Sequence, residues 1–175
     1  MAHLQLGRVC TDRQRGQPTR NYRRALYHFE CAKKIFSRER YPSQWANVQV
    51  LCGKTLVGCP WLTEVRRRLL SIRCFEETLQ VRTERRNPTL WAESQLNLAM
   101  NYYQLFFARG RDQPRRYDSR DMEMAWGHIQ KALGVYRRGI GSRRVLKRAQ
   151  ELQGWITKVL HSKGFSALKR LRTRR

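Results

Sequence analysis

The stretch that decides the fold is YPSQWANVQVLCG, Tyr41 to Gly53, because a related stretch, NPTLWAESQLNLA, follows at Asn87 to Ala99. Trp45 and Trp91 lie 46 residues apart, and a proline, an alanine and a glutamine of each stretch keep the same offset. Repetition at a fixed spacing is the sequence signature of repeat architectures. The sequence therefore predicts a chain built from repeated units.

A second pattern shows the same period. Ala25, Phe29 and Ala32 follow the spacing i, i+4, i+7, which places them on one face of a helix. The pattern returns 46 residues later and again after a further 54, so the third unit contains an insertion. The returning residues are Ser71, Phe75 and Thr78, and then Ala125, Ile129 and Ala132. Repetition at so many linked positions favours a repeat array, and a non-repetitive helical bundle is the alternative.

The same patterns predict alternating helices and no strand. A partial helix is expected from about Leu4 to a turn at 13–18, and Ser142 is expected to cap the last helix, which ends near 161. The helices between them are predicted at 20–40, 42–57, 62–85, 88–108 and 119–138. The predicted repeat domain spans 1–161, with units of about 4–40, 42–86, 88–138 and a partial 142–161. Residues 162–175 are predicted to form a basic tail.

The charge of the chain is extreme. Lys and Arg number 37 against 13 Asp and Glu, which gives a formal net charge of +24. Such a field attracts nucleic acid, anionic membrane surfaces or acidic proteins. The alternative is that the arginines only solvate the outer faces of the helices. An apolar fraction of 41% provides enough material for a core and argues against disorder throughout.

The five cysteines indicate a reducing compartment. No Cys-x-x-Cys pair occurs, and an odd number of cysteines without a signal peptide favours small apolar core residues over disulfides. No window approaches the run of roughly 18 to 20 apolar residues that a membrane span needs. We therefore expect a cytoplasmic protein with no membrane span, and the basic tail makes a nuclear location the alternative.

Small residues at one helical position, facing an aromatic residue on the next helix, allow two antiparallel helices to approach closely. The sequence carries this pattern as Leu98-Ala99 and Tyr102 on one helix and as Ala25, Phe29 and Ala32 on another, with Gly7 and Gly53 at the close-approach position. It resembles the tetratricopeptide repeat, in an extended variety with units longer than usual. The resemblance implies an all-α, right-handed solenoid of antiparallel helical hairpins. Ser71, Thr78 and Ile129 depart from the family pattern.

Enzyme chemistry is not expected, and neither is a cofactor. The four histidines form no metal-binding spacing, and no glycine-rich phosphate loop occurs. His28 and His128 occupy equivalent positions of the repeat, whereas a catalytic group is needed once. We therefore expect a non-enzymatic protein.

Binding is the expected activity. In tetratricopeptide arrays the first helix of each unit lines a concave groove, and the resemblance implies groove positions at Asn47, Val50, Lys54, Glu93, Leu96, Asn97, Met100 and Tyr103. An asparagine at the Asn97 position often holds a ligand backbone in this family. The equivalent in the preceding unit is Leu51, so the usual carboxylate clamp is incomplete.

A basic patch is the second candidate site. Arg66, Arg67 and Arg68 are predicted in the first turn of a helix, where the helix dipole does not favour positive charge. The tail adds Lys169, Arg170 and Arg172, and its Phe165, Leu168 and Leu171 share one helical side that would cap the array. Import into the nucleus, or contact with RNA or acidic lipid, are the alternatives for the tail.

These features predict a scaffold that binds a peptide or helix of an acidic partner protein in a groove. The alternative is a helical repeat that binds RNA through arginine contacts to phosphates, which an aromatic and arginine stripe on one face would favour.

Overall fold

The computed structural model describes residues 2–12, 17–112 and 119–162. These residues form seven α-helices and no strand, which confirms the predicted all-α class. The helices are α1 (Ala2–Asp12), α2 (Pro18–Ile35), α3 (Pro42–Val57), α4 (Glu64–Leu79), α5 (Pro88–Asp112), α6 (Ser119–Arg137) and α7 (Arg143–Ser162). The chain divides into two compact units, unit 1 being Met1–Thr83 and unit 2 being Glu84–Arg175.

The helix ends follow local capping chemistry. Pro42 begins α3 in the first turn, where its missing N–H costs nothing. The Thr63 hydroxyl accepts from the Arg66 amide at 3.3 Å, and the Ser142 hydroxyl accepts from the Val145 amide at 3.3 Å, as expected for Ser142. Helices α2 and α4 end several residues before the predicted 40 and 85, because the chain turns at Phe36 and at Gln80.

Within unit 1, both hairpins have the same kind of close contact between their two helices, a glycine of the first helix against a phenylalanine of the second, which we call the joint. A Cβ atom added at Gly7 would lie 2.4 Å from the Phe29 ring, and one added at Gly53 would lie 3.0 Å from the Phe75 ring. Both rings are at most 1% exposed, and the two joints are 46 residues apart in sequence. The glycines therefore leave the space that the phenylalanines fill, as expected from the pattern of small residues.

Polar residues at the small positions of α4 are satisfied by backbone carbonyls. The Ser71 hydroxyl donates to the Gly53 carbonyl at 2.9 Å, and the Thr78 hydroxyl donates to the Phe75 carbonyl at 2.7 Å. Both residues are fully buried, and a buried hydroxyl without a partner would be costly. Serine and threonine therefore take the place of alanine without leaving an unpaired group.

In unit 2 the equivalent joint has other residues. Ala99 and Ile129 are both fully buried in the core cluster formed by α5, α6 and α7. Gln95, near the start of α5, contacts His128 in the second half of α6, and Arg109, near the end of α5, forms an ion pair with Asp121 at the start of α6 at 3.0 Å. Helices α5 and α6 are therefore antiparallel.

A polar contact recurs beside these joints. The Nδ1 atoms of His3 and His28 are 3.0 Å apart, Gln49 donates to Glu77, and Gln95 contacts His128 at 2.5 Å. The positions of His3, Gln49 and Gln95 are successively 46 residues apart. Each hairpin therefore places a polar side chain at the same point on its first helix.

Candidate interaction surface

Two of the predicted groove residues interact with residues of their own hairpin. The Arg82 guanidinium, itself 4% exposed, donates to the Asn47 Oδ1 atom at 2.7 Å. Burial, and then the charge of Glu93, raise the pKa of Tyr136 on α6 to about 12. Asn47 itself remains exposed, and the positions of Arg82 and Tyr136 are equivalent in the repeat.

Two further predicted groove residues are buried. Val50 is 7% exposed, and Leu96 is 6% exposed and belongs to the core of unit 2. Their side chains offer almost no surface to a partner. That these positions line a groove stays a prediction.

The remaining predicted groove positions differ in how much of their side chains is exposed. Asn97 is half-buried and its amide donates to the Glu93 carbonyl one turn earlier at 2.9 Å. Met100 packs against the core of unit 2 and is only partly covered. Lys54 is exposed in unit 1.

Tyr103 belongs to a surface cluster of three aromatic rings in unit 2. Its ring lies 5.1 Å from Phe107 on the same helix, edge to face, and 6.3 Å from Trp155 on α7. Trp155 is 46% exposed, while Tyr103 and Phe107 are half-buried. We call Tyr103, Phe107 and Trp155 the aromatic surface. Exposed apolar side chains that cluster in this way mark an interaction site.

The sequence pattern predicted only one member of this surface. Trp155 lies in the partial last unit, where the repeat is eroded, so its partner on α5 was not evident. A signal was present, because the equivalent position holds Thr55 in α3 and Asn101 in α5, which are 1% and 4% exposed. A tryptophan replacing small polar residues at one repeat position marks a change of role.

The aromatic surface lies on a basic helix. Within α7, Arg143, Arg144, Lys147, Arg148 and Lys158 stand against the single acid Glu151. Lys158 and Glu151 lie three residues after and four residues before Trp155, which places both beside its ring. Burial raises the pKa of Tyr103, so its phenol stays protonated and able to donate a hydrogen bond at neutral pH.

The predicted basic patch at the start of α4 is only partly open. Arg66 is exposed, whereas Arg67 and Arg68 are half-buried, and Arg68 pairs with Glu64 at 3.5 Å. Lys169, Arg170 and Arg172 lie outside the described residues. The patch that the structure describes therefore reduces to one exposed arginine.

The cysteines are free thiols. Burial raises the pKa of Cys52 to about 12 and that of Cys74 to about 11, which keeps both protonated and unreactive at neutral pH. Over residues 2–12, 17–112 and 119–162, no three His, Cys, Asp or Glu side chains gather as a metal-binding group. In the same ranges no helix combines the length and apolarity needed to cross a bilayer.

Comparisons of the chain with models of protein families, with curated proteins and with solved structures found no match. The class that the structure establishes is an all-helical protein.

Proposed function

We propose that the chain is a tetratricopeptide-like repeat protein whose hairpins stack as a right-handed solenoid, and that it binds a segment of an acidic partner protein. The repeat part of the proposal is supported by the Gly7–Phe29 and Gly53–Phe75 joints, which recur with the sequence period. The scaffold catalyses no reaction in this proposal and acts in the cytoplasm.

The observation that carries the binding role is the aromatic surface. Tryptophan and tyrosine dominate the energetics of protein interfaces, because they bury a large apolar area with few rotatable bonds. Lys158 lies beside this apolar centre, and α7 as a whole is net basic. A partner segment with an apolar anchor between carboxylates matches both features.

RNA remains the alternative ligand for the aromatic surface. The rings of Tyr103 and Trp155 are 6.3 Å apart and tilted by 33°, so they do not form a parallel pair around a nucleobase. A base also stacks on one exposed ring beside basic side chains, so oligouridylate is the competing ligand in the binding test.

The test is a binding titration with a fluorescein-labelled acidic peptide, kept extended by prolines and carrying one Leu-Leu pair between glutamates. Fluorescence anisotropy should show that Trp155→Ala weakens binding to the full chain by about tenfold or more. Affinity should also fall between low salt and about 0.5 M salt, since the charges at the surface are screened.

Trp61→Ala is the matched control, because Trp61 is a similarly exposed tryptophan of unit 1, 38% exposed. It should leave the affinity unchanged. Equal loss in both variants, or tight binding of oligouridylate that Trp155→Ala removes, would contradict the proposed protein partner.

A further inference from the structure

Helix α1 exposes positions that the equivalent helix buries. Leu6 and Val9 are 47% and 63% exposed, whereas Cys52 and Thr55, at the equivalent positions of α3, are 2% and 1% exposed. Leu6 and Val9 lie one turn apart on the same helical face. We call these two residues the outer stripe.

The structure of unit 1 shows what such a face covers. On α3, Val48 and Cys52 pack in one cluster with Phe29 and Ala32 of α2, and Thr55 hydrogen bonds to Thr11 of α1 at 3.1 Å. This face of a first helix therefore fits a helix that presents small and aromatic side chains at helical spacing. The outer stripe is the same face, and no helix of residues 2–12, 17–112 or 119–162 covers its two side chains.

The net charge of the first hairpin selects the occupant. Helices α1 and α2 carry six basic residues against the two acids Asp12 and Glu30; the basic residues are Arg8, Arg20, Arg23, Arg24, Lys33 and Lys34. A second copy of the chain would bring another net charge of +24 to this face. Like charges facing each other disfavour that pairing, and a helix with carboxylates beside its apolar stripe is attracted.

We infer that the outer stripe is a docking surface for an acidic amphipathic helix of a partner protein. The inference rests on the proposed function for the class of partner, and it adds a site in unit 1 that is separate from the aromatic surface. Leucines of the partner helix at i, i+4 and i+7 cover Leu6 and Val9, and the net positive charge of the first hairpin attracts its flanking glutamates.

The experiment uses a fluorescein-labelled helical peptide with leucines at i, i+4 and i+7 and glutamates on both flanks, titrated with the full chain. The double variant Leu6→Ser, Val9→Ser should weaken binding about tenfold or more, with an unchanged helical circular dichroism spectrum, because both side chains are already exposed. Leu69→Ser is the control, since Leu69 is an exposed leucine of α4 in the same unit, 42% exposed. It and Trp155→Ala should bind the peptide as the unaltered chain does.

Several outcomes would overturn the inference. Unchanged binding in the double variant, equal loss in Leu69→Ser, or no binding by the unaltered chain would each refute the site. A dimer in sedimentation velocity that the double variant dissociates would assign the stripe to a second copy. Loss of helical-peptide binding in Trp155→Ala alone would refute the outer stripe and leave the proposed function standing.

Discussion

The hairpins of unit 1 and the α5–α6 hairpin of unit 2 have different residue pairs at the equivalent positions of the joint. Unit 1 sets glycine against phenylalanine, at Gly53 and Phe75, and unit 2 sets alanine and isoleucine at the equivalent positions, Ala99 and Ile129. The volume that the alanine methyl adds on one helix is offset by the smaller volume of isoleucine, compared with phenylalanine, on the other. Because protein cores are close-packed, a larger residue on one helix requires a smaller residue opposite it, so both positions differ together.

The two units also differ in what they leave exposed. Equivalent positions that hold the core are buried in both units. Leu6 is exposed where Cys52 is buried, and Val9 and Trp155 are exposed at the repeat position where Thr55 and Asn101 are buried. The regular part of the repeat thus explains stability. Departures from it mark the surfaces to which we assign binding.

The largest expected effect is the loss of the aromatic half of a joint. Phe75→Ala should lower the free energy of unfolding by about 3–5 kcal/mol, because a fully buried ring leaves a cavity against Gly53. Urea unfolding followed by circular dichroism measures this, with Leu69→Ala as an exposed control expected to change it by less than about 0.5 kcal/mol. A loss below about 1 kcal/mol would mean that Phe75 does not fill the joint.

The next effect concerns unit 2 and depends on pH. Burial, and then the Lys131 charge, lower the pKa of His128 to about 4, so the folded chain keeps this imidazole neutral while the unfolded chain protonates it near pH 6.5. The unfolded state then binds more protons between these values, so stability is lost as the pH falls from about 6.5 towards 4, by up to about 3 kcal/mol.

His128→Gln removes this titration and keeps a polar side chain opposite Gln95. The unfolding free energy of the variant should therefore fall less steeply than that of the unaltered chain between pH 7 and pH 4, measured by urea titrations at each pH. Identical slopes would show that His128 does not carry the effect.

A smaller effect comes from filling the glycine side of the joint. Gly53→Ala should cost about 1–2 kcal/mol, because the new methyl meets the Phe75 ring at 3.0 Å and the Cys74 Cβ atom at 3.2 Å. Part of the cost is offset by the higher helix propensity of alanine. Gly7→Ala should cost more, since its methyl would lie 2.4 Å from the Phe29 ring. The same urea titrations decide this order, and a stabilised Gly53→Ala would contradict the tight joint.

The sequence predicted the packing far better than the surface. Helix α3 has the predicted bounds, and the joint at Gly53 was expected, because periodicity directly reports which residues share a face. Periodicity does not report which neighbour a face meets. The groove positions therefore stay a prediction, although Asn47 accepts a hydrogen bond from Arg82 of its own hairpin.

The same limit applies to the aromatic surface. Tyr103 and Trp155 are 52 residues apart, off the repeat spacing, and belong to different helices. Their contact depends on how α5 and α7 pack, which no local pattern contains. Helix ends at Ile35 and Leu79 were missed for a related reason, since no glycine or proline marks either end.

The central claim is that the hairpins are equivalent units with an exchangeable joint. The most direct measurement is a double-mutant cycle of Gly53→Ala and Phe75→Ile, which builds the residue pair of unit 2 into unit 1. Urea unfolding should show a favourable coupling of about 1 kcal/mol or more, with the double variant less destabilised than the sum of the single variants. Additive losses within about 0.3 kcal/mol would contradict the equivalence of the joints.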